Sequence, residues 1–161
     1  MKRLSVDARK MVLTSATEEA RRRGDRRIGT DHLLLALLHD EHSSPARALG
    51  VSLEAAHRAS DALDVAALAA VGVEVDHLGS PEKAAPARRF PPLTSGARAV
   101  LKQVIEEARP SKTGRLESRH FLLALLSRER PDPAAELLRA LGIDVVAVRE
   151  RLFSSPQTGA A

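Results

Sequence analysis

The stretch RIGTDHLLLALL (27–38) returns as RLESRHFLLALL (115–126), with seven of the twelve residues identical. The same offset of 88 residues lays Val12 on Val100, Leu13 on Leu101, Glu18-Glu19-Ala20-Arg21 on Glu106-Glu107-Ala108-Arg109 and His32 on His120. Agreement at one fixed offset marks a duplicated supersecondary unit. A chain of 161 residues has room for one compact domain built from both copies, and none for a separate catalytic domain beside it.

Each copy reads as helical. Ala97, Val100, Leu101, Val104, Ile105 and Ala108 fall on one apolar stripe at helical spacing. The runs Leu33–Leu38 and Phe121–Leu126 are apolar on every side, which predicts a buried helix at the centre of each copy. Thr30 and Ser118 stand just ahead of these runs, where a hydroxyl can cap a helix N-terminus. ALGVSLEAAHRASDAL (48–63) and ALGIDVVAVRERL (140–152) each end one helix at a glycine and start another at Ser52 or Asp144. The expectation is an all-α fold of two tandem four-helix repeats, eight helices in all and no strand.

The copies differ in spacing. His32 to Gly50 is 18 residues and His120 to Gly142 is 22, which predicts a shorter loop before the third helix of the first copy. AALAAVGVEV (66–75) echoes LLRALGIDV (137–145) and predicts an additional short helix. GSPEKAAPARRFPP (79–92) is proline-rich and charged, as a linker is. The organisation is therefore repeat 1 over about 4–75, a linker over about 76–92, repeat 2 over about 93–153 and a flexible tail over 154–161.

Composition bounds the function. With no cysteine, disulfide and thiolate chemistry are excluded, which suits a reducing cytosol. The N-terminus lacks the continuous apolar stretch of a signal peptide. The longest uncharged apolar run, Val65 to Val73, falls far short of the roughly 20 residues a bilayer span needs. These features predict a soluble cytoplasmic protein without a membrane partner. The net charge of +4 permits an acidic partner, but 25 basic residues face 21 acidic ones and there is no Tyr or Trp to stack on bases.

Several residues invite a chemical reading. His32 and His120 recur symmetrically, yet no acid or cysteine recurs with both at ligand spacing, so their expected role is structural. His39 and His42 flank Asp40-Glu41 and could hold a metal weakly, against the default of a solvated loop. RRRGDRR (21–27) could grip phosphates or an acidic protein tail, against the default of a solvated helix end whose cations suit the macrodipole. Ser80-Pro-Glu-Lys83 and Lys112-Thr-Gly114 mimic serine β-lactamase motifs but lie on a linker and a loop of a chain without a sheet. No nucleophile, base and orienting group can be placed together, and no cofactor is called for.

Taken together these residues resemble the N-terminal domain of the Clp/Hsp100 ATPases, the Clp N or Clp R repeat domain, most closely its ClpC-type form. The family pattern is a Thr-x-x-Ala start, a Val-Leu and Glu-Ala helix, an Ile-Gly-Thr-Glu-His-Leu-Leu-Leu segment and an Ala-Leu-Gly, given twice. The first copy has Val12-Leu13, Glu19-Ala20, Ile28-Gly29-Thr30-Asp31-His32-Leu33-Leu34-Leu35 and Ala48-Leu49-Gly50. The second has Thr94-Ser95-Gly96-Ala97, Val100-Leu101, Glu107-Ala108, His120-Phe121-Leu122-Leu123 and Ala140-Leu141-Gly142. The likeness covers about residues 4–152, and the chain has no Gly-x-x-x-x-Gly-Lys-Ser/Thr loop, so it reads as a stand-alone module without the ATPase.

The resemblance implies a pseudo-twofold module that docks substrates and adaptor proteins for the unfoldase ring, with no enzymatic activity. It implies as partners the Clp ATPase and ClpP machinery, client peptides and adaptors. Family members of the ClpC type bind phosphoarginine through the Glu of each Gly-Thr-Glu-His and the Thr of each Thr-x-x-Ala. By position those acids fall on Asp31 and Arg119, and the threonines on Ser5 and Thr94. Arg119 reverses the charge, replacing attraction for a guanidinium by repulsion and suiting a carboxylate instead. The aromatic residues of the family's cyclic-peptide antibiotic site are here Leu4 and Leu93. The predicted function is docking of peptides or marked proteins at the groove between the repeats, for delivery to a Clp machine or as a decoy. The rival reading is a basic nucleic-acid-associated or regulatory protein using Arg21–Arg27.

Overall fold

The structure, a computed structural model, describes residues 3–72, 91–110 and 115–154, with side chains from residue 8 onward in the first segment. The predicted tail beyond Ser154, all but the last two residues of the predicted linker, Ser80–Lys83 and Lys112–Gly114 lie outside the described residues; Ser154 itself, expected in the tail, is the last residue of the final helix. Among those residues the chain forms eight helices. They are α1 (Arg3–Arg23), α2 (Thr30–Leu37), α3 (Ser44–Leu49), α4 (Leu53–Ala70), α5 (Ser95–Ala108), α6 (Ser118–Leu126), α7 (Pro133–Ala140) and α8 (Val145–Ser154).

The leucine runs behave as their composition dictates. Every residue of Leu33–Leu38 and Phe121–Leu126 is buried, and α2 and α6 touch at the centre of the molecule. On α5 the buried stripe is Ala97, Val100, Val104 and Ala108, with Leu101 packed at its edge. Ile105 lies outside the predicted stripe, 46% exposed, because the stripe is too narrow to cover it. The glycine ends hold as read: Gly50 and Gly142 take φ of 67° and 68°, a left-handed conformation that glycine adopts without steric cost. Ser52 then accepts from the Ala55 N–H, and Asp144 from the N–H groups of Val146 and Ala147.

Three local expectations are corrected. The extra spacing of the second copy is not in a loop, since six residues precede both α3 and α7. Relative to the first copy, α6 is one residue longer and α7 two, and Leu141 adds one more before Gly142. AALAAVGVEV makes no separate helix within the described residues: 66–70 complete α4, Val71 and Gly72 form the turn that ends it, and 73–75 lie outside. Thr30 and Ser118 are the first residues of their helices, one place past the caps, which are Gly29 and Glu117.

The halves interpenetrate. The third helix of each copy packs against helices of the other, α7 on α2 and α4, and α3 on α6 and α8. Nearly every packing partnership has its counterpart under exchange of the copies, which is the pseudo-twofold arrangement. Polar groups reinforce the seam. No strand forms among the described residues, but Ile28 and Leu93 make an isolated parallel bridge. The Ile28 N–H donates to the Pro92 carbonyl and the Thr94 N–H to the Ile28 carbonyl, each at 2.9 Å.

Thr30 is freed from capping its own helix and caps a helix of the other copy. Its buried hydroxyl accepts from the Ala134 N–H at 3.1 Å and donates to Asp132 Oδ1 at 2.7 Å, at the start of α7. Thr30→Val keeps the shape and removes both bonds, so urea unfolding should show a loss of about 1–2 kcal/mol, and Thr30→Ser should recover most of it. An unchanged midpoint in Thr30→Val would show that this bond pair does not hold the seam.

Candidate binding cleft

The seam bonds set the start of α2 beside the starts of α5 and α7, and a cleft of about 680 Å³ opens between them. Its walls come from both copies: Arg26, Arg27 and Asp31 from the first, Thr94, Ser95 and Asp132 from the second. Asp31 and Thr94, separated by most of a repeat in sequence, are thus brought together.

Asp31 does not stand free. Arg23, at the end of α1, ion-pairs with it, and Arg23 Nη2 also lies 2.8 Å from each oxygen of Asp64 on α4. Asp25 completes the ring of carboxylates, 3.4 Å from Arg23 Nε. Burial works against the charge of Arg23, but the fields of Asp31, Asp25 and Asp64 outweigh it and hold the guanidinium more firmly ionised. Burial pushes the Asp64 carboxyl up despite the arginine. The Thr94 hydroxyl is committed to capping α5, accepting from the Ala97 N–H at 3.1 Å. Leu93 is half-buried against the core.

Arg119 holds the position of Asp31 in the second copy, with Nε 3.2 Å from Glu117 Oε2, and does not line this cleft. Ser5 and Leu4 fall on α1, and their side chains lie outside the described residues.

The symmetric histidines are structural, in a way the sequence did not specify. Nδ1 of His32 accepts from the Gly29 N–H, and Nδ1 of His120 from the Glu117 N–H, each at 2.9 Å. The imidazole takes the place of the Glu or Gln in a capping box. With Nδ1 accepting, the proton sits on Nε2, and His32 donates it to Asp25 Oδ2 at 2.8 Å. That bond, helped by the charge of Arg23, outweighs burial and pulls the Asp25 carboxyl below its ordinary range. Burial, then the charge of Arg119, pulls the pKa of His120 below 6.5 and so favours the neutral form in which Nδ1 can accept the cap bond.

His39 and His42 do not act together. His42 is exposed beside Glu41, whereas His39 turns inward and binds Glu19 Oε1 at 2.7 Å. Glu19, 3% exposed, also receives His57 of α4, at 2.8 Å to Oε2, and Arg22. Sequence reasoning missed this cluster: its members lie on α1, just past α2, and on α4, and no spacing rule links them. The arginine run is likewise divided. Arg22 and Arg23 are turned to acids, while Arg26 and Arg27 are exposed at the cleft. Among the described residues, no helix is long and apolar enough to cross a membrane.

Comparison with known proteins places this geometry. Residues 4–64 match the Clp repeat (R) N-terminal domain family. The chain is 31% identical over 145 residues to the chloroplastic chaperone protein ClpC1 of Oryza sativa subsp. japonica, a match spanning 88% of this chain and 14% of that protein. It is 30% identical over 145 residues to the ClpA homologue, an ATP-binding subunit of the ATP-dependent Clp protease, of Guillardia theta, spanning 88% of this chain and 16% of that protein. The chain thus spans about a seventh of the length of the curated relatives it matches. The crystal structure of the N-terminal domain of ClpD from Arabidopsis thaliana shares the fold, with a TM-score of 0.64 at 17% identity, covering 89% of this chain and 88% of that one. Residues 4–64 are thus a Clp repeat (R) N-terminal domain by their match, the ClpC and ClpA-type relatives align over most of the chain, and the ClpD structure shows the same fold.

Proposed function

We propose that the protein is a non-catalytic, cytoplasmic docking module of the Clp protease system, which takes peptide segments of client or adaptor proteins into the cleft between its repeats. The observation that carries this reading is the cleft itself, walled by both copies and containing Asp31 and Thr94. Concave sites at the junction of packed units are the usual place for a ligand. Ser5 and Arg119, with Leu4 ahead of Ser5, belong on this reading to the pseudo-symmetric counterpart, and Leu93 backs Thr94. The relatives support the assignment to the Clp system, since they are named as Clp chaperones and ATP-binding subunits of the Clp protease.

The test adds the purified protein to a Clp ATPase and peptidase degrading an unfolded reporter. Delivery raises the degradation rate, a decoy lowers it, and an unchanged rate overturns the reading. Ser95→Trp, which fills the cleft from an exposed position at the start of α5, should return the rate to its value without the protein.

A further inference from the structure

The charges that line the cleft differ in how far the chain itself engages them. Four carboxylates line it: Asp25, Asp31, Glu129 and Asp132. Three are already engaged by this chain. Asp25 is held by His32 and Arg23, Asp31 by Arg23, and Asp132 by the Thr30 hydroxyl and by Arg128 Nε at 3.0 Å. Arg128 is spent in the same bond. Arg26 and Arg27 are different: both are exposed, both line the cleft, and neither has an ion-pair partner among the described residues. Glu129, also exposed, is the one lining acid without a described ion pair. Four carboxylates against the guanidinium groups of Arg26, Arg27 and Arg128 give the lining no net positive charge; what sets Arg26 and Arg27 apart is that, with Glu129, they are the lining charges without an ion-pair partner among the described residues.

We infer that the cleft selects acidic peptide segments, with Arg26 and Arg27 as the recognising charges, an inference that rests on the docking reading above. A guanidinium offers a planar fork of donors that matches a carboxylate, and it needs no change in protonation to do so. Both arginines follow Gly24, which takes φ of 75° and turns the chain off the end of α1, so the backbone and not a flexible tail delivers them to the cleft. The segment is then anchored by the Ile28 bridge to the other copy. A nucleic acid fits less well, because two adjacent arginines make a short footprint and the protein has no Tyr or Trp to stack on bases.

The experiment uses fluorescence anisotropy with three labelled probes: a peptide of alternating glutamate and alanine, its twin with glutamine for every glutamate, and a single-stranded DNA oligonucleotide. The acidic peptide should bind about tenfold more tightly than its twin at low salt, and this preference should shrink as salt is raised. The double variant Arg26→Gln, Arg27→Gln should abolish the preference while leaving the helical circular dichroism and the glutamine twin unchanged. Glu129→Gln should strengthen the acidic peptide alone.

Equal affinity of the two peptides, or a preference that survives the double variant, overturns charge selection. If both peptides are nevertheless lost in Ser95→Trp, docking at the cleft stands without it. If no peptide binds and Clp degradation is also unaffected, the docking reading falls as well. Tighter binding of DNA than of the acidic peptide, lost in the double variant, makes the partner a nucleic acid and overturns the proposal.

Discussion

Phe121→Ala is expected to unfold at a urea midpoint corresponding to a loss of about 4 kcal/mol, the largest single-residue effect in this protein. Phe121 is fully buried and heads the largest such side chains. It lies on α6, which touches helices of both copies, so neither half can collapse alone to fill the space. Phe121→Leu restores the residue that stands at the equivalent position of the first copy, Leu33, and should cost only about 1 kcal/mol. A cost below about 1 kcal/mol for the alanine variant would mean that α6 is not the shared core of the two repeats.

Glu19→Ala should cost about 2 kcal/mol at neutral pH, with a pH dependence that identifies the cause. The carboxylate receives the Nε2–H groups of His39 and His57 and the Nε of Arg22, tying α1 to α4 and to the end of α2. Burial favours its neutral form, but the hydrogen bonds and charges of the two histidines prevail and lower its pKa below 4.5. The folded protein thus resists a proton that the unfolded chain accepts near 4.5. Glu19 contributes its full stabilisation above that value, and the contribution disappears as pH falls through the lower folded pKa. Urea unfolding of wild type and Glu19→Ala should accordingly converge as pH falls well below 4.5. A gap as wide at acid pH as at neutral pH would show that the carboxylate's charge is not what matters.

The second copy shows what this cluster replaces. Counting from the glycine, His57 corresponds to Arg149, and counting from the histidine, His39 corresponds to Ser127; Arg149 Nη2 bonds Ser127 Oγ at 3.0 Å. Glu107, in the place of Glu19, pairs with Gln103 on its own helix. Two solutions to the same packing junction therefore exist in one chain.

What the sequence revealed follows from how local each determinant is. Burial of the leucine runs and the glycine stops depend on neighbours a few residues away, and both are legible. So are the eight helices of the described residues, though not the additional short one expected over 66–75. Thr30 illustrates the limit: a hydroxyl at a helix start looks the same in sequence whether it caps that helix or one from the other copy. Its actual partners, Asp132 and the Ala134 N–H, lie across the seam. For the same reason, the family resemblance led to Asp31 and Thr94, but the pairing of Asp31 with Arg23, which Asp64 shares, required the arrangement of α1 and α4. A spacing gives a total and not its division, so the sequence does not tell a longer loop from longer helices.

The reciprocal seating of α3 and α7 bears on how such a chain could arise. A single copy whose third helix belongs in a neighbour's core has nowhere to put that helix alone, but two identical copies can satisfy each other. The geometry is that of a domain-swapped homodimer whose subunits have been joined end to end. Fusion also ends a constraint. In a symmetric pair, every substitution appears at both related clefts, whereas in the joined chain Asp31 and Arg119 carry opposite charge at equivalent positions. A tethered dimer can keep the residues of one copy as they were while the equivalent positions of the other change.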